Sequence, residues 1–152
     1  MTRDDIVAAA RLWIGTPYRH QASVRGQGCD CLGLVRGIWR DCIGPEPEPV
    51  PPYAPDWAEG PGPQTLLLAA RRHLVEISLS AWRPGDVLLF SMGAEHPAKH
   101  CAVVSAPARV LQAYWGRAVC ETSLVPWWSR RIVAAFSFPG IRPDPDPTRE
   151  AD

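Results

Sequence analysis

The chain has 152 residues, 46% of them hydrophobic, with 16 basic and 16 acidic side chains and 17 prolines. That length suits one domain with an ordinary apolar core. A formal net charge of zero gives no electrostatic case for nucleic acid or an anionic membrane, and no apolar run approaches the roughly 20 residues of a membrane span. The charged start, Met1-Thr2-Arg3-Asp4-Asp5, leads into a helical pattern and does not resemble a secretory signal. The expectation is a soluble domain, made in the cytoplasm without an export address of its own.

Thr2 and Asp5 form a capping pair at the start of a helix. Ile6, Val7, Ala9, Ala10, Trp13 and Ile14 follow at helical spacing, and Gly15 and Pro17 end it. The segment 15–29 reads as a loop. From Asp30 the pattern is helical again, with Leu32, Val35, Ile38, Trp39 and Cys42 on one stripe, until Gly44 and Pro45. Residues 45–63 contain eight prolines and are predicted to be irregular. Thr65 to Leu74 reads as a third helix.

The period then changes. Arg83-Pro84-Gly85-Asp86 is a turn signal. Val87–Met92, His100–Ser105, Val110–Tyr114, Ala118–Thr122 and Ile132–Phe138 are short apolar runs joined by short loops, so they predict antiparallel strands. Helices followed by strands define an α+β domain over residues 1–140, with an insertion at 45–63. The proline-rich, acidic segment 141–152 is expected to be disordered.

The five cysteines are Cys29, Cys31, Cys42, Cys101 and Cys120. An odd number argues against a disulfide framework. Cys42 and Cys120 lie in apolar patterns and read as small buried hydrophobes. Cys31 differs. Asp30 is a good N-cap, which puts Cys31 in the first turn of a helix, where unpaired N–H groups and the helix dipole favour a thiolate. Cys29 falls before the cap and is the poorer nucleophile.

A cysteine nucleophile needs a base. His20 lies in the loop before it, His73 sits beside Arg71 and Arg72 and is expected to be solvated, and His96 precedes a proline. His100 opens an apolar strand that would anchor it at a cleft, so it is the best candidate. Gln112 is the polar residue of the next strand. If the two strands pair as a hairpin, Gln112 falls near His100 and its amide oxygen accepts from the imidazole. The rival is a metal site from Cys29, Cys31, His100 and Cys101. Cys-x-Cys spacing is short for structural zinc, and strand alternation turns Cys101 away from His100.

Four segments in order resemble the NlpC-type cysteine peptidases, papain-like enzymes of bacterial cell walls. They are Gly15-Thr16-Pro17-Tyr18, Asp30-Cys31-Leu32-Gly33-Leu34, Arg83-Pro84-Gly85-Asp86-Val87 and His100-Cys101-Ala102-Val103. The resemblance implies a papain-like fold, with helices packed on an antiparallel sheet of about five strands. It implies Cys31 as nucleophile, His100 as general base, Gln112 as the residue that orients His100, and Tyr18 lining the site near the oxyanion. It implies no metal and no cofactor. The substrate class would be peptidoglycan stem peptides, cut at amides of the D-glutamyl–diaminopimelate type through an acyl-enzyme.

The third polar residue of that family is most often histidine and is glutamine here, which keeps open a structural protein without activity. An amidase or acyltransferase on the same scaffold is a further alternative. Leu32, with Leu34-Val35-Arg36, resembles the branch found in phage tails and gene transfer particles, which implies tail or particle proteins as partners and delivery to the periplasmic wall by a particle. The 45–63 insertion, which carries Trp57, is expected to cover a rim of the cleft or to dock on such a partner.

Overall fold

The computed structural model of the protein describes residues 1–54 and 63–143. Trp57, residues 55–62 of the insertion and the acidic segment from 144 onward lie outside these described residues. Helix α1 (Arg3–Arg11) begins at the predicted capping box: Asp5 N–H donates to Thr2 Oγ1 at 3.2 Å, and Thr2 N–H to Asp5 Oδ2 at 2.7 Å. Its apolar stripe buries Ile6, Val7 and Ala10.

The stretch between α1 and the second helix holds a two-residue ribbon, β1 (Ser23–Val24) with β2 (Gly28–Cys29). The sequence reading had only a loop there, because two-residue strands leave no periodicity. Helix α2 (Cys31–Cys42) buries Leu34, Val35 and Ile38. Trp13 packs on it so closely that a Cβ added to Gly37 would lie 1.9 Å from the indole Cζ2. The indole N–H meets Asp41 at 3.0 Å. Helix α3 (Thr65–His73) comes next.

The remaining strands are β3 (Val75–Ile77), β4 (Val87–Ser91), β5 (Ala98–Ala106), β6 (Arg109–Gln112), β7 (Cys120–Ser123) and β8 (Ile132–Ser137), with a short helix α4 (Pro126–Ser129) before the last. They form one antiparallel sheet in the order β3-β8-β4-β5-β6-β7. The sheet has six strands, one more than the apolar runs predicted. The extra strand, β3, has an exposed Val75 and Glu76 and a half-buried Ile77, so no apolar run marks it.

Strand alternation gives the sheet two faces. One carries Val87, Leu89, Cys101, Val103, Leu111 and Phe136 against the helices; the other carries Leu88, Phe90, Ala102, Val104 and Val110 under Trp82 and Trp128. The Pro-Gly-Asp turn ties the layers together. Gly85 takes φ +89°, which favours glycine. Asp86, fully buried, accepts from Arg3 Nη1 of α1 at 2.5 Å and from the Ser137 hydroxyl of β8 at 2.6 Å.

Candidate active site

The site begins at the cap of α2. Asp30 is extended, and its Oδ1 accepts the Gly33 N–H at 2.7 Å. Its Oδ2 accepts the Gln21 N–H at 2.7 Å and also the Tyr53 hydroxyl. The carboxylate thus fixes the helix start, the preceding loop and the insertion at one point. Gly33 is glycine because the loop presses on it: a Cβ there would lie 1.9 Å from the Ala22 carbonyl oxygen. Cys31 occupies the first helical position, amid the unpaired N–H groups of the first turn.

This helix start meets an open edge of the sheet. The β5–β6 ladder starts at Val103↔Leu111, so residues 98–102 of β5 pair only with β4. Cys31 lies along that free edge, its Sγ 3.9 Å from the Lys99 carbonyl oxygen. The Cys101 thiol in turn donates to the Cys31 carbonyl at 3.3 Å. Cys31 therefore lies where side chains from both faces of β5 act on its sulfur, Cys101 on one and His100 on the other.

The imidazole is held on its remaining side by an amide. His100 is 4% exposed, and its Nε2 lies 2.9 Å from Gln112 Oε1. That leaves Nδ1 as the ring nitrogen for the thiol. Gln112 Nε2 donates to Thr122 Oγ1 of β7 at 2.9 Å. This bond fixes the amide orientation, so its oxygen faces the imidazole and accepts a hydrogen bond from the ring N–H. Phe90, Tyr114 and Trp128 enclose the imidazole, with ring centroids 5.1 to 5.5 Å away.

The electrostatics separate the thiols. Hydrogen bonding from Cys101 holds the Cys31 thiol well below its ordinary range; burial opposes this, and the bond and charge of His100 reinforce it. Burial, Asp30 and Cys31 push Cys29 up to about 12. Cys29 is fully buried. The Tyr18 hydroxyl is pushed up to about 12 by burial and by Cys31, Asp30 and Cys29, so it keeps its proton.

Two walls flank the sulfur. Tyr18 bridges to Cys29 along the backbone, and its ring meets the exposed Trp115 at 5.7 Å. On the other side, a cavity of about 460 Å³ runs from Cys31 and Cys101 past Val35, Leu66 and Leu89 to the insertion. Residues 46–53 line it as an irregular arm. Glu46 pairs with Arg36 at 2.5 Å and Arg40 at 2.9 Å. Glu48 pairs with Arg72 at 2.6 Å and lies 3.1 Å from His73.

Cys31, His100, Gln112 and Tyr18 thus come together. His73 is not freely solvated, because Glu48 faces it. His20 stands outside the string, its Nε2 2.6 Å from the Tyr53 carbonyl. Among the described residues, no three His, Cys, Asp or Glu side chains converge as a metal site. Sequence reasoning missed Thr122, Tyr53, Trp128 and the contact of Cys101 with Cys31. The first three depend on register and loop path, which carry no motif. The last depends on Cys31 lying along a strand edge.

This arrangement, a helix-start cysteine against a strand-borne histidine on an antiparallel sheet, is the papain-like fold of NlpC/p60 domains. The NlpC/p60 domain of the peptidoglycan hydrolase SagA superposes with a TM-score of 0.63 at 24% identity, covering 91% of this chain and 100% of that one. An NlpC/p60 family protein from Bacillus cereus gives 0.65 at 17% identity, over 91% of this chain and 40% of that one. RipD from Mycobacterium tuberculosis, a non-catalytic NlpC/p60 domain protein adapted to peptidoglycan binding, gives 0.55 at 14% identity, over 89% and 95% of the two chains. No protein-family profile matches the sequence, and no curated protein shows significant sequence similarity to it.

Proposed function

We propose that this protein is a cysteine peptidase that hydrolyses amide bonds in peptidoglycan stem peptides, of the D-glutamyl–diaminopimelate type. The observation that carries the reading is the Cys31–His100–Gln112 string at the start of α2. The Cys31 thiolate attacks the scissile carbonyl carbon. The oxyanion that forms faces the Cys31 backbone N–H at the helix start, with Tyr18 at the rim. His100 gives its proton to the leaving amine as the C–N bond breaks, and a thioester on Cys31 remains. His100 then takes a proton from water, which attacks the thioester and releases the carboxylate. Gln112 holds the imidazole in position throughout.

The finer part of the proposal is delivery. Leu32, with Leu34-Val35-Arg36, supports a component of a phage-like tail that opens the wall locally, carried to the periplasm by its particle and contacting other tail proteins. Residues 1–140 act as one peptidase domain in this reading.

The test is incubation of the protein and its Cys31→Ala form with diaminopimelate-type peptidoglycan, followed by mass spectrometry of the fragments. The wild type is expected to release stem-peptide pieces cut at the D-glutamyl amide. Cys31→Ala and His100→Ala are expected to release none while melting as the wild type does, and Cys29→Ser to keep most activity. Cleavage at the sugar–peptide amide would make the protein an amidase. Wall binding without fragments from the wild type would place it with RipD as a structural component.

A further inference from the structure

Two cysteines meet at the site, Cys31 and Cys101, and the hydrolytic cycle uses only one. Cys101 lies in the middle of a nine-residue strand, 2% exposed, and its thiol donates to the Cys31 carbonyl at 3.3 Å. The Cys31 thiol reaches back to the same strand at the Lys99 carbonyl, 3.9 Å away. Both are free thiols, and both line the cavity of about 460 Å³ beside the arm. A small neutral oxidant admitted to that cavity therefore meets both.

We propose that Cys101 is the resolving cysteine of Cys31: a hydroperoxide that oxidises the nucleophile is answered by a Cys31–Cys101 disulfide, which reducing thiols reverse. The steps balance. The Cys31 thiolate attacks one peroxide oxygen, the O–O bond breaks, and Cys31 sulfenic acid and hydroxide form. The Cys101 sulfur then attacks the Cys31 sulfur, the S–O bond breaks, and the displaced hydroxide takes the Cys101 proton as water. Two thiols are oxidised, one hydroperoxide is reduced, and the sulfurs close to a bond of about 2.05 Å.

The surroundings assign each thiol its part. Cys31 is held toward its thiolate and reacts first, whereas Cys101 and Cys29 are both held toward their protonated forms. Cys29 precedes the cap and is fully buried, with its backbone in the β1–β2 ribbon. Of these two thiols, Cys101 is the one whose side chain touches Cys31, at its carbonyl. Without it, sulfenic acid goes on to sulfinic acid, which reducing thiols do not repair. The inference does not depend on which bond Cys31 cuts, because its readouts are mass and alkylation.

The test treats the reduced protein with hydrogen peroxide, then measures intact mass, disulfide-linked peptides and iodoacetamide labelling of Cys31 after dithiothreitol. The wild type is expected to become lighter by about 2 Da, to show a 31–101 link, and to regain labelling in full. Cys101→Ser is expected to gain about 32 Da at Cys31 and not to regain labelling. Cys101→Ala serves the same purpose should a buried hydroxyl impair folding. A link through Cys29, a wild type that gains the two oxygens, or equal recovery of the wild type and the variants overturns the proposal.

Discussion

Gln112 supplies geometry without charge. An aspartate beside the imidazole would stabilise the protonated ring through both a hydrogen bond and its charge, whereas the amide gives the bond alone. Its worth lies in aim, and Thr122 provides the aim by holding the amide nitrogen at 2.9 Å. Gln112→Ala is therefore expected to lower kcat by about tenfold to a hundredfold, about 1–3 kcal/mol, with KM little changed in steady-state assays on a purified stem peptide. Thr122→Val should follow with a smaller loss.

The Cys31 thiol gives an independent check. Because its proton is held below the ordinary range, the thiolate is already present at lower pH. Iodoacetamide labelling should rise with pH and level off below the usual thiol value of about 8.5. In His100→Ala the inflection should move to higher pH. Cys31, His100 and Gln112 could be picked out in the sequence because each follows from a local rule: a cap, a histidine at the head of an apolar run, a polar residue within one; β5 itself starts two residues before His100, at Ala98. Alternation does turn Cys101 away from His100, onto the opposite face of the sheet; its contact with Cys31 was not legible, because it depends on the free edge of β5.

At the scale of elements, α2 is the piece that must not shift. Its first turn is locked by Asp30, by the Ala22 carbonyl over Gly33, and by the arm through Tyr53. Gly33→Ala forces a methyl group into a backbone oxygen. A loss of about 1–3 kcal/mol or more is expected, seen as a lower Tm, with slower labelling of Cys31 in the fraction that stays folded. The helix itself was legible from its stripe and cap. The course of the arm was not: eight prolines predicted irregular chain, yet its path depends on Arg36, Arg40 and Arg72 finding Glu46 and Glu48. Such pairings join surface charges across 6 to 24 residues, and no periodicity announces them.

For the whole molecule, Asp86 links the start of α1, the turn before β4 and the end of β8. Asp86→Ala removes the anion facing Arg3 and the acceptor for Ser137. It is expected to cost about 3 kcal/mol, measured by urea unfolding, although it lies outside the Cys31–His100–Gln112 string. The motif containing Asp86 was visible in the sequence as a turn; its role as a tie between distant segments was not, because Arg3 and Ser137 are 134 residues apart. The two-layer architecture was legible from the change of period after α3, while the sixth strand was too short and too exposed to register.

The strand order has one more consequence. Among the described residues β8 is the last strand to leave the ribosome, yet it takes an interior place between β3 and β4. Until residue 137 has emerged, β4 lacks a neighbour and Asp86 lacks one of its ties, so the sheet that carries His100 is incomplete. The setting of His100 is therefore closed from behind: β5 gains its finished support only when residues 132–137 have been made and have slotted in beside β4.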